Sequence, residues 1–144
     1  MGSMANTMWK MGNSVAVSLY RMTGGKLGGS VGGGKVMLLT VPGRKTGIER
    51  TVPVSYVEHD SGYVVAGSNG GRPVDPQWFR NLRAADRATA ELGKRKVIVR
   101  PEILEGDARD ALWRDVFVAQ MPMFAKYEAK TTRTIPLAVL RPDS

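Results

Sequence analysis

Six short β-type runs, most of them joined by hairpin-length turns, do most to limit what this chain can become. Val36–Val41 (VMLLTV) is a continuous apolar run, followed by Thr51–Glu58 (TVPVSYVE) and Tyr63–Gly67 (YVVAG). Pro42-Gly43-Arg44-Lys45-Thr46-Gly47 separates the first two and carries two glycines for unusual φ angles. His59-Asp60-Ser61-Gly62 separates the next two. Ala88–Leu92 and Lys96–Leu104 form a further hairpin around Gly93, and Thr134–Leu140 (TIPLAVL) closes the series. Connections this short make antiparallel neighbours. Without regular strand–helix alternation a Rossmann sheet is excluded. The pattern predicts an α+β fold, mainly antiparallel β: a small barrel of about six strands flanked by helices.

The helices are fewer. Asp75-Pro76 supplies an N-cap and a first-turn proline for a helix reaching about Ala85. Asp107 is expected to cap a second, with a stripe of Ala111, Leu112, Val116 and Ala119, and a short third helix follows Pro122. Near the start, Met8, Met11, Val15, Leu19 and Met22 step by three and four, a helical stripe ended by Gly24-Gly25. Flanked by Lys10 and Arg21, it reads as a lid on the core or as a basic helix resting on a membrane. Residues 24–35 (GGKLGGSVGGGK) form a flexible connector. Residues 1–35 are thus an appendage and 36–144 the folded domain, with Met1-Gly2-Ser3-Met4 a cloning scar.

The chain of 144 residues is one domain in size, and without cysteine it has no disulfide, thiolate metal cluster or cysteine nucleophile. A single histidine, His59, lies in a polar turn beside Asp60 and reads as a surface residue; nothing calls for a metal. No apolar run approaches the ~20 residues that span a bilayer, and no secretory signal opens the chain, so a cytoplasmic location is expected. A net charge of +8 favours polyanions: nucleic acid, anionic lipid, or a small ligand carrying phosphates and carboxylates. With aromatic residues at 7% and no stacking series among the Lys/Arg positions, nucleic acid is not expected as a partner.

Three tempting signals fail. Gly29–Lys35 matches a P-loop until Val36, where Ser or Thr should stand, and it leads into a strand rather than a helix. Glu102, Glu105, Asp107 and Asp110 surround a helix start, where acidic groups favour the dipole. Lys94-Arg95-Lys96 sits at a hairpin tip as a solvated edge.

One cluster survives. The Gly43–Gly47 turn can point N–H groups outward, and Arg44, Lys45 and Arg50 add charge around it, a small anion nest. Strand Thr51–Ser55 leaves that nest, with Pro53 lacking a donor. Ala66–Gly71 ends the next strand in small residues, which would let a flat ring approach the backbone. On the helix after Asp75, Trp78, Leu82 and Ala85 face the core, while Gln77, Asn81 and Ala84 share another face.

In order along the chain stand Gly43-Arg44-Lys45-Thr46-Gly47-x-x-Arg50-x-x-Pro53, Gly67-Ser68-x-Gly70-Gly71, Pro76-x-Trp78-Phe79-x-Asn81-Leu82 and Arg133-Thr134-Ile135-Pro136. From about Leu38 to Leu140 this resembles the deazaflavin-dependent nitroreductase family, reductases that use coenzyme F420 on a split β-barrel of the FMN-binding, PNP-oxidase-like kind. The resemblance implies that Arg44, Lys45, Thr46 and Arg50 hold the phosphate and oligoglutamate tail. It implies that Thr51, Val52, Pro53, Val54 and Ser55, with Ala66, Gly67, Ser68 and Asn69, contact the ring and ribityl chain. Gln77, Trp78, Phe79, Arg80 and Asn81 would close the site.

The implied chemistry is hydride transfer from reduced F420 to a small-molecule acceptor, a quinone or nitroaromatic, by positioning alone. Met121, Phe124 and Tyr127 would meet the acceptor, and Ser68 or Tyr127 would donate a hydrogen bond to its oxygen. Phe124, Met121 and Ser55 stand where the nitroimidazole-activating relative can have tyrosine, and Asn69 where lysine can occur, which turns the expectation toward quinones and other hydrophobic acceptors. Met121 and Phe124 are equally readable as core. An FMN protein on the same barrel is the alternative, because FMN also has a phosphate; a non-catalytic basic module binding membrane or nucleic acid is another. Residues 8–22 offer a peripheral membrane contact, and monomer and homodimer both stay open.

Overall fold

The computed structural model of the chain describes residues 15–22, 30–31 and 34–143. Residues 1–4, read above as a scar, Met8 and Met11 of the stripe, and most of the glycine-rich connector lie outside them. Helical backbone runs over 15–22 (α1). The strands are Ser30–Val31 (β1), Gly34–Pro42 (β2), Glu49–His59 (β3), Gly62–Ala66 (β4), Ala88–Leu92 (β5), Arg95–Leu104 (β6) and Leu137–Pro142 (β7). Every pairing is antiparallel, in the order β1-β2-β3-β4-β7-β6-β5, and β2 also pairs with β5. That last pairing closes β2 through β7 into a six-stranded barrel, the fold class expected.

Period-two burial builds the interior. Along β3, Val52, Val54 and Tyr56 are buried and Pro53 is exposed. Met37, Leu39 and Val41 of β2 meet them, with Tyr63, Val65, Ala138 and Leu140 from the far wall. Helix α2 (Gln77–Ala84) plugs the barrel, because Phe79 and Leu82, three apart on one face, both enter this core. Complete burial of such side chains contributes about 1.5–3 kcal/mol each.

A second core lies outside the wall. Val57, Val64, Leu137 and Val139 face outward and are covered by Trp113, Phe117, Met121, Phe124 and Ile135. These come from α3 (Gly106–Leu112), a π-helical turn at Trp113–Phe117, α4 (Val118–Gln120) and α5 (Phe124–Ala129). On another wall, Val17 and Tyr20 of α1 cover Val36 and Leu38.

Several local expectations are corrected. The α1 face on the core is Val17 and Tyr20; Val15, Leu19 and Met22 of the expected stripe are exposed. Tyr20 decides this, since its hydroxyl lies 3.0 Å and 3.1 Å from the Val36 and Glu91 carbonyls and accepts from Gly93 N. Asp75 does not cap α2, whose N-cap is Pro76, and Asp107 sits inside α3, whose N-cap is Glu105. The stripe after Asp107 is Arg109, Trp113, Phe117 and Met121, with Ala111 and Ala119 exposed. The π-helical turn explains the shift, since a widened turn holds residues four apart on one face. Strand β7 starts at Leu137 because Pro136 has no N–H to return to Gly67, whose N–H still donates to the Pro136 carbonyl, and because Arg109 takes the Ile135 carbonyl.

The antiparallel register sorts the connections by rim. At one rim β3 meets β4 through His59–Gly62 and β5 meets β6 through Leu92–Arg95, both tight turns. The other rim gathers the 43–48 hairpin, the 67–76 loop with α2, and the 105–136 segment. Most of the residues singled out for a site lie on that second rim.

Candidate functional site

The 43–48 hairpin is tied internally. Gly43 N donates to the Ile48 carbonyl (2.9 Å), Gly47 N to the Gly43 carbonyl (2.8 Å) and Ile48 N to Thr46 Oγ1 (3.2 Å). Gly47 has φ 73°, and a Cβ on Gly43 would stand 2.9 Å from Thr46 Oγ1. Arg44 is the pivot. Its backbone N–H donates to Asn81 Oδ1 (3.2 Å), while Nη1 donates to Asn81 Oδ1 (2.7 Å) and Gln77 Oε1 (3.0 Å). The turn and the Gln77/Asn81 face of α2 are therefore tied together directly. Most of the turn's N–H groups are consumed, so the corner offers side-chain charge rather than the backbone nest expected from the sequence.

Both partners of the Arg44 side chain are neutral amide oxygens. The guanidinium is oriented without its charge being cancelled, in contrast to Arg133 and Arg83, which share Asp75. Among the described residues Arg44, Lys45, Arg50 and Arg80 make no ion pair, and Lys45, Arg50 and Arg80 are exposed. Arg80 follows Gln77 by three positions and shares its side of α2.

Beside this corner the barrel is split. Strand β3 pairs with β4 only at Val57–His59, and the register places Ala66, the last residue of β4, level with Ser55. Residues 51–55 run past that end, paired with β2 on one side and with no strand on the other among the described residues. Thr51 and Ser55 are half-buried and Pro53 is exposed, whereas Val52 and Val54 point into the core and can meet a ligand only through backbone. Thr51 Oγ1 lies 2.7 Å from Thr40 Oγ1.

The other bank of the split is the loop after β4. Ala66 and Gly67 are buried, and a Cβ on Gly67 would stand 2.9–3.0 Å from the Phe79 ring and Pro136. Asn69, Gly70 and Gly71 have φ of 49°, 64° and 83° in succession, and a Cβ on Gly71 would stand 2.9 Å from Lys130 Cβ and the Tyr127 carbonyl. Arg133 holds this loop. Nε donates to the Arg72 carbonyl (2.9 Å), Nη1 to Asp75 Oδ1 (2.7 Å), and Nη2 to the Gly67 (3.1 Å) and Ser68 (2.9 Å) carbonyls. The sequence marked Arg133 only as part of a motif. Its partners, 58 to 66 residues away, carry no local signal.

The remaining expected residues divide. Ser68 and Tyr127 are both half-buried near this loop, with Lys130 Nζ 5.9 Å from the Tyr127 ring centroid. Trp78 is half-buried against the core, while Phe79 is sealed beneath Gly67. Met121 is completely buried and Phe124 nearly so, its ring edge-on to Phe117 at 4.9 Å and to Tyr127 at 5.2 Å. The two fill the second core instead of lining a pocket, so Tyr127 alone of that trio reaches solvent. His59 lies at the opposite rim, its Nε2 3.3 Å from Asp60.

A cofactor of this site would need cations at one end and an open backbone edge for a flat ring at the other. The uncancelled Arg44–Lys45–Arg50 corner and the 51–55 edge beside Gly67 fit that requirement. Relatives identify the family. The profile of the F420H(2)-dependent quinone reductase family matches residues 13–142. The chain is 29% identical, over 126 residues and 85% of each chain, to an F420H(2)-dependent quinone reductase of Mycobacterium tuberculosis. A solved structure titled F420-H2 dependent reductase shares 32% identity, covering 74% of this chain and 93% of its own, with a TM-score of 0.66. Another, described as a domain-swapped dimer, shows the same identity and TM-score over 74% of this chain and 79% of its own. With sequence and fold in agreement, this chain belongs to the F420H(2)-dependent quinone reductase family.

Proposed function

We propose that this chain carries hydride from reduced coenzyme F420 to a quinone-type acceptor at the split in its barrel. The observation that carries the reading is Arg44, fixed by Gln77 and Asn81 with its charge intact, beside the unpaired Lys45 and Arg50. These three cations hold the phosphate and oligoglutamate end, with the Thr46 hydroxyl beside them. The backbone of Thr51–Ser55 and of Ala66–Asn69 receives the ring. When bound, the deazaflavin supplies hydride from the carbon that replaces N5 of a flavin. The protein orients that ring, and the Ser68 and Tyr127 hydroxyls are the donors for an oxygen on the acceptor. Trp78 and Phe79 support the loop from beneath.

The location we propose is cytoplasmic with peripheral membrane contact through residues 8–22. Val15, Leu19 and Met22 are exposed along the outer side of α1, which suits an enzyme that meets lipid-soluble quinones. Among the described residues no helix is long and apolar enough to cross a membrane. A homodimer is part of the reading, supported by the swapped dimer of the relative above.

The test is a fluorescence titration with coenzyme F420, followed by anaerobic mixing of the reduced complex with a menadione-type quinone. Saturable binding and oxidation of the coenzyme only in the presence of quinone are expected. Absence of binding, or purification of a yellow protein fully occupied by FMN, would overturn the assignment. Co-sedimentation with anionic liposomes and light scattering test the membrane and dimer statements.

A further inference from the structure

We infer that Arg133 is a positioning residue that turns the Ser68 and Asn69 amides into the split, and this rests on the function proposed above. The warrant is peptide geometry. In a trans peptide the carbonyl of one residue and the N–H of the next point in opposite directions. Arg133 Nη2 draws the Gly67 and Ser68 carbonyls toward itself, at 3.1 Å and 2.9 Å. The N–H groups of Ser68 and Asn69 must therefore point away from Arg133, and neither has a hydrogen-bond partner among the described residues. Gly71 N secures the same arrangement by donating to the Ser68 carbonyl at 2.9 Å.

The side chain is built for this task. The side chain is largely buried, with 16% of its surface exposed, and four of the five guanidinium N–H bonds have acceptors. Asp75 fixes the fork at 2.7 Å, so the loop carbonyls meet a cation already held in place. Lysine could keep the pairing with Asp75 but could not reach three carbonyls in one plane. The segment carrying Arg133 is itself anchored from behind, since Arg109 Nε and Nη2 donate to the Ile135 carbonyl at 2.9 Å and 2.7 Å. The two outward amides form a donor set for carbonyl oxygens on the ring, separate from the Arg44 corner that takes the anionic tail.

This separation gives the test. A deazaflavin carrying only its ribityl chain lacks phosphate and glutamates, so its affinity reads the ring donors alone. Each neutral hydrogen bond lost weakens binding roughly 2- to 10-fold. Arg133→Lys is therefore expected to weaken the riboside and the full coenzyme by the same factor, roughly 5- to 100-fold. Arg44→Gln is expected to weaken only the full coenzyme. Hydrogen exchange of the ligand-free protein provides a reading apart from binding: amides of 67–75 should exchange at least about 10-fold faster in Arg133→Lys, with the barrel strands unchanged. If that variant does not fold, Asp75→Asn loosens the same fork and carries the comparison with a smaller loss. Unchanged riboside affinity overturns the inference, whether or not exchange rises. Wild-type protein that binds neither deazaflavin overturns the proposed function and this inference together, so the two failures look different.

Discussion

Replacing a neutral group with a charged one would ordinarily be expected to strengthen an arginine's hold on its neighbour. Here Asn81→Asp should weaken the coenzyme instead. Asn81 Oδ1 lies 2.7 Å from Arg44 Nη1, so the new carboxylate pairs with Arg44 and cancels the charge that faces the ligand. A phosphate about 7 Å from that carboxylate would meet about 2 kcal/mol of repulsion at an effective dielectric near 20. Discounted for the solvated rim, about 1–2 kcal/mol remains, a roughly 5- to 30-fold weaker Kd. Asn81 is itself buried, so the new carboxylate loses solvation that its pairing with Arg44 only partly offsets, and the fold should lose about 1–3 kcal/mol, read as a lower Tm. The assay is coenzyme fluorescence titrated from about 20 to 300 mM salt beside a melting curve, since contact between exposed charges is screened as salt rises. The salt dependence of binding should flatten in the variant. Arg44→Gln should act in the same direction by roughly 10- to 150-fold, the range of one charge-assisted contact. Wild-type affinity or tighter in Asn81→Asp would show that Arg44 does not face the anion, and the site assignment would fall with it.

Other expectations concern the frame. Gly71→Ala asks an L-residue to adopt φ 83° with its Cβ 2.9 Å from the Tyr127 carbonyl. A loss of about 1–3 kcal/mol from the backbone conformation alone is expected in urea melts, and wild-type stability would refute the loop geometry. Arg21→Ala leaves the buried Glu91 carboxylate without the guanidinium 2.8 Å away. Because Arg21 is half exposed and water can replace it, we expect only about 1 kcal/mol; limited proteolysis should cut near α1 sooner, and an unchanged pattern would refute the latch. The Tyr56 phenol is pushed up to about 12, first by burial and then by Glu58. The unfolded chain ionises near pH 10 while the folded one does not, so this group leaves stability untouched below pH 10 and lowers it from there to pH 12. The loss reaches roughly 2–3 kcal/mol; melts between pH 9 and 12 should show it, and Tyr56→Phe should flatten it.

The barrel was readable because its strands obey a local rule. Val52, Val54 and Tyr56 alternate with Pro53 and Ser55, and the turns between strands are too short for anything but antiparallel return. The Arg44–Gln77–Asn81 corner was readable in part, from the basic turn and the helical spacing of the two amides. What escaped depends on distant partners. Asp75 looked like a cap because it precedes Pro76, yet Arg133, 58 residues later, takes its carboxylate. The α1 stripe was phased on Val15, Leu19 and Met22, but Tyr20 finds acceptors on β2 and β5 and turns the helix by its hydroxyl. The stripe after Asp107 slipped because a π-helical turn changes the period, and period is all a sequence pattern offers. Phe124 and Met121 were ambiguous for the same reason: apolar residues of a second core and of a pocket look alike until the wall they cover is known.

Gathering the long connections between barrel strands on one rim, among the described residues, divides the labour between two kinds of sequence. The staves need only alternate, and many alternations will do. The exposed tips of the three segments that crown them can then be rewritten during divergence, so long as Phe79 and Leu82 still plug the cylinder and Trp113, Phe117 and Met121 still cover its wall. Relatives sharing under a third of their residues with this chain can therefore keep one vessel.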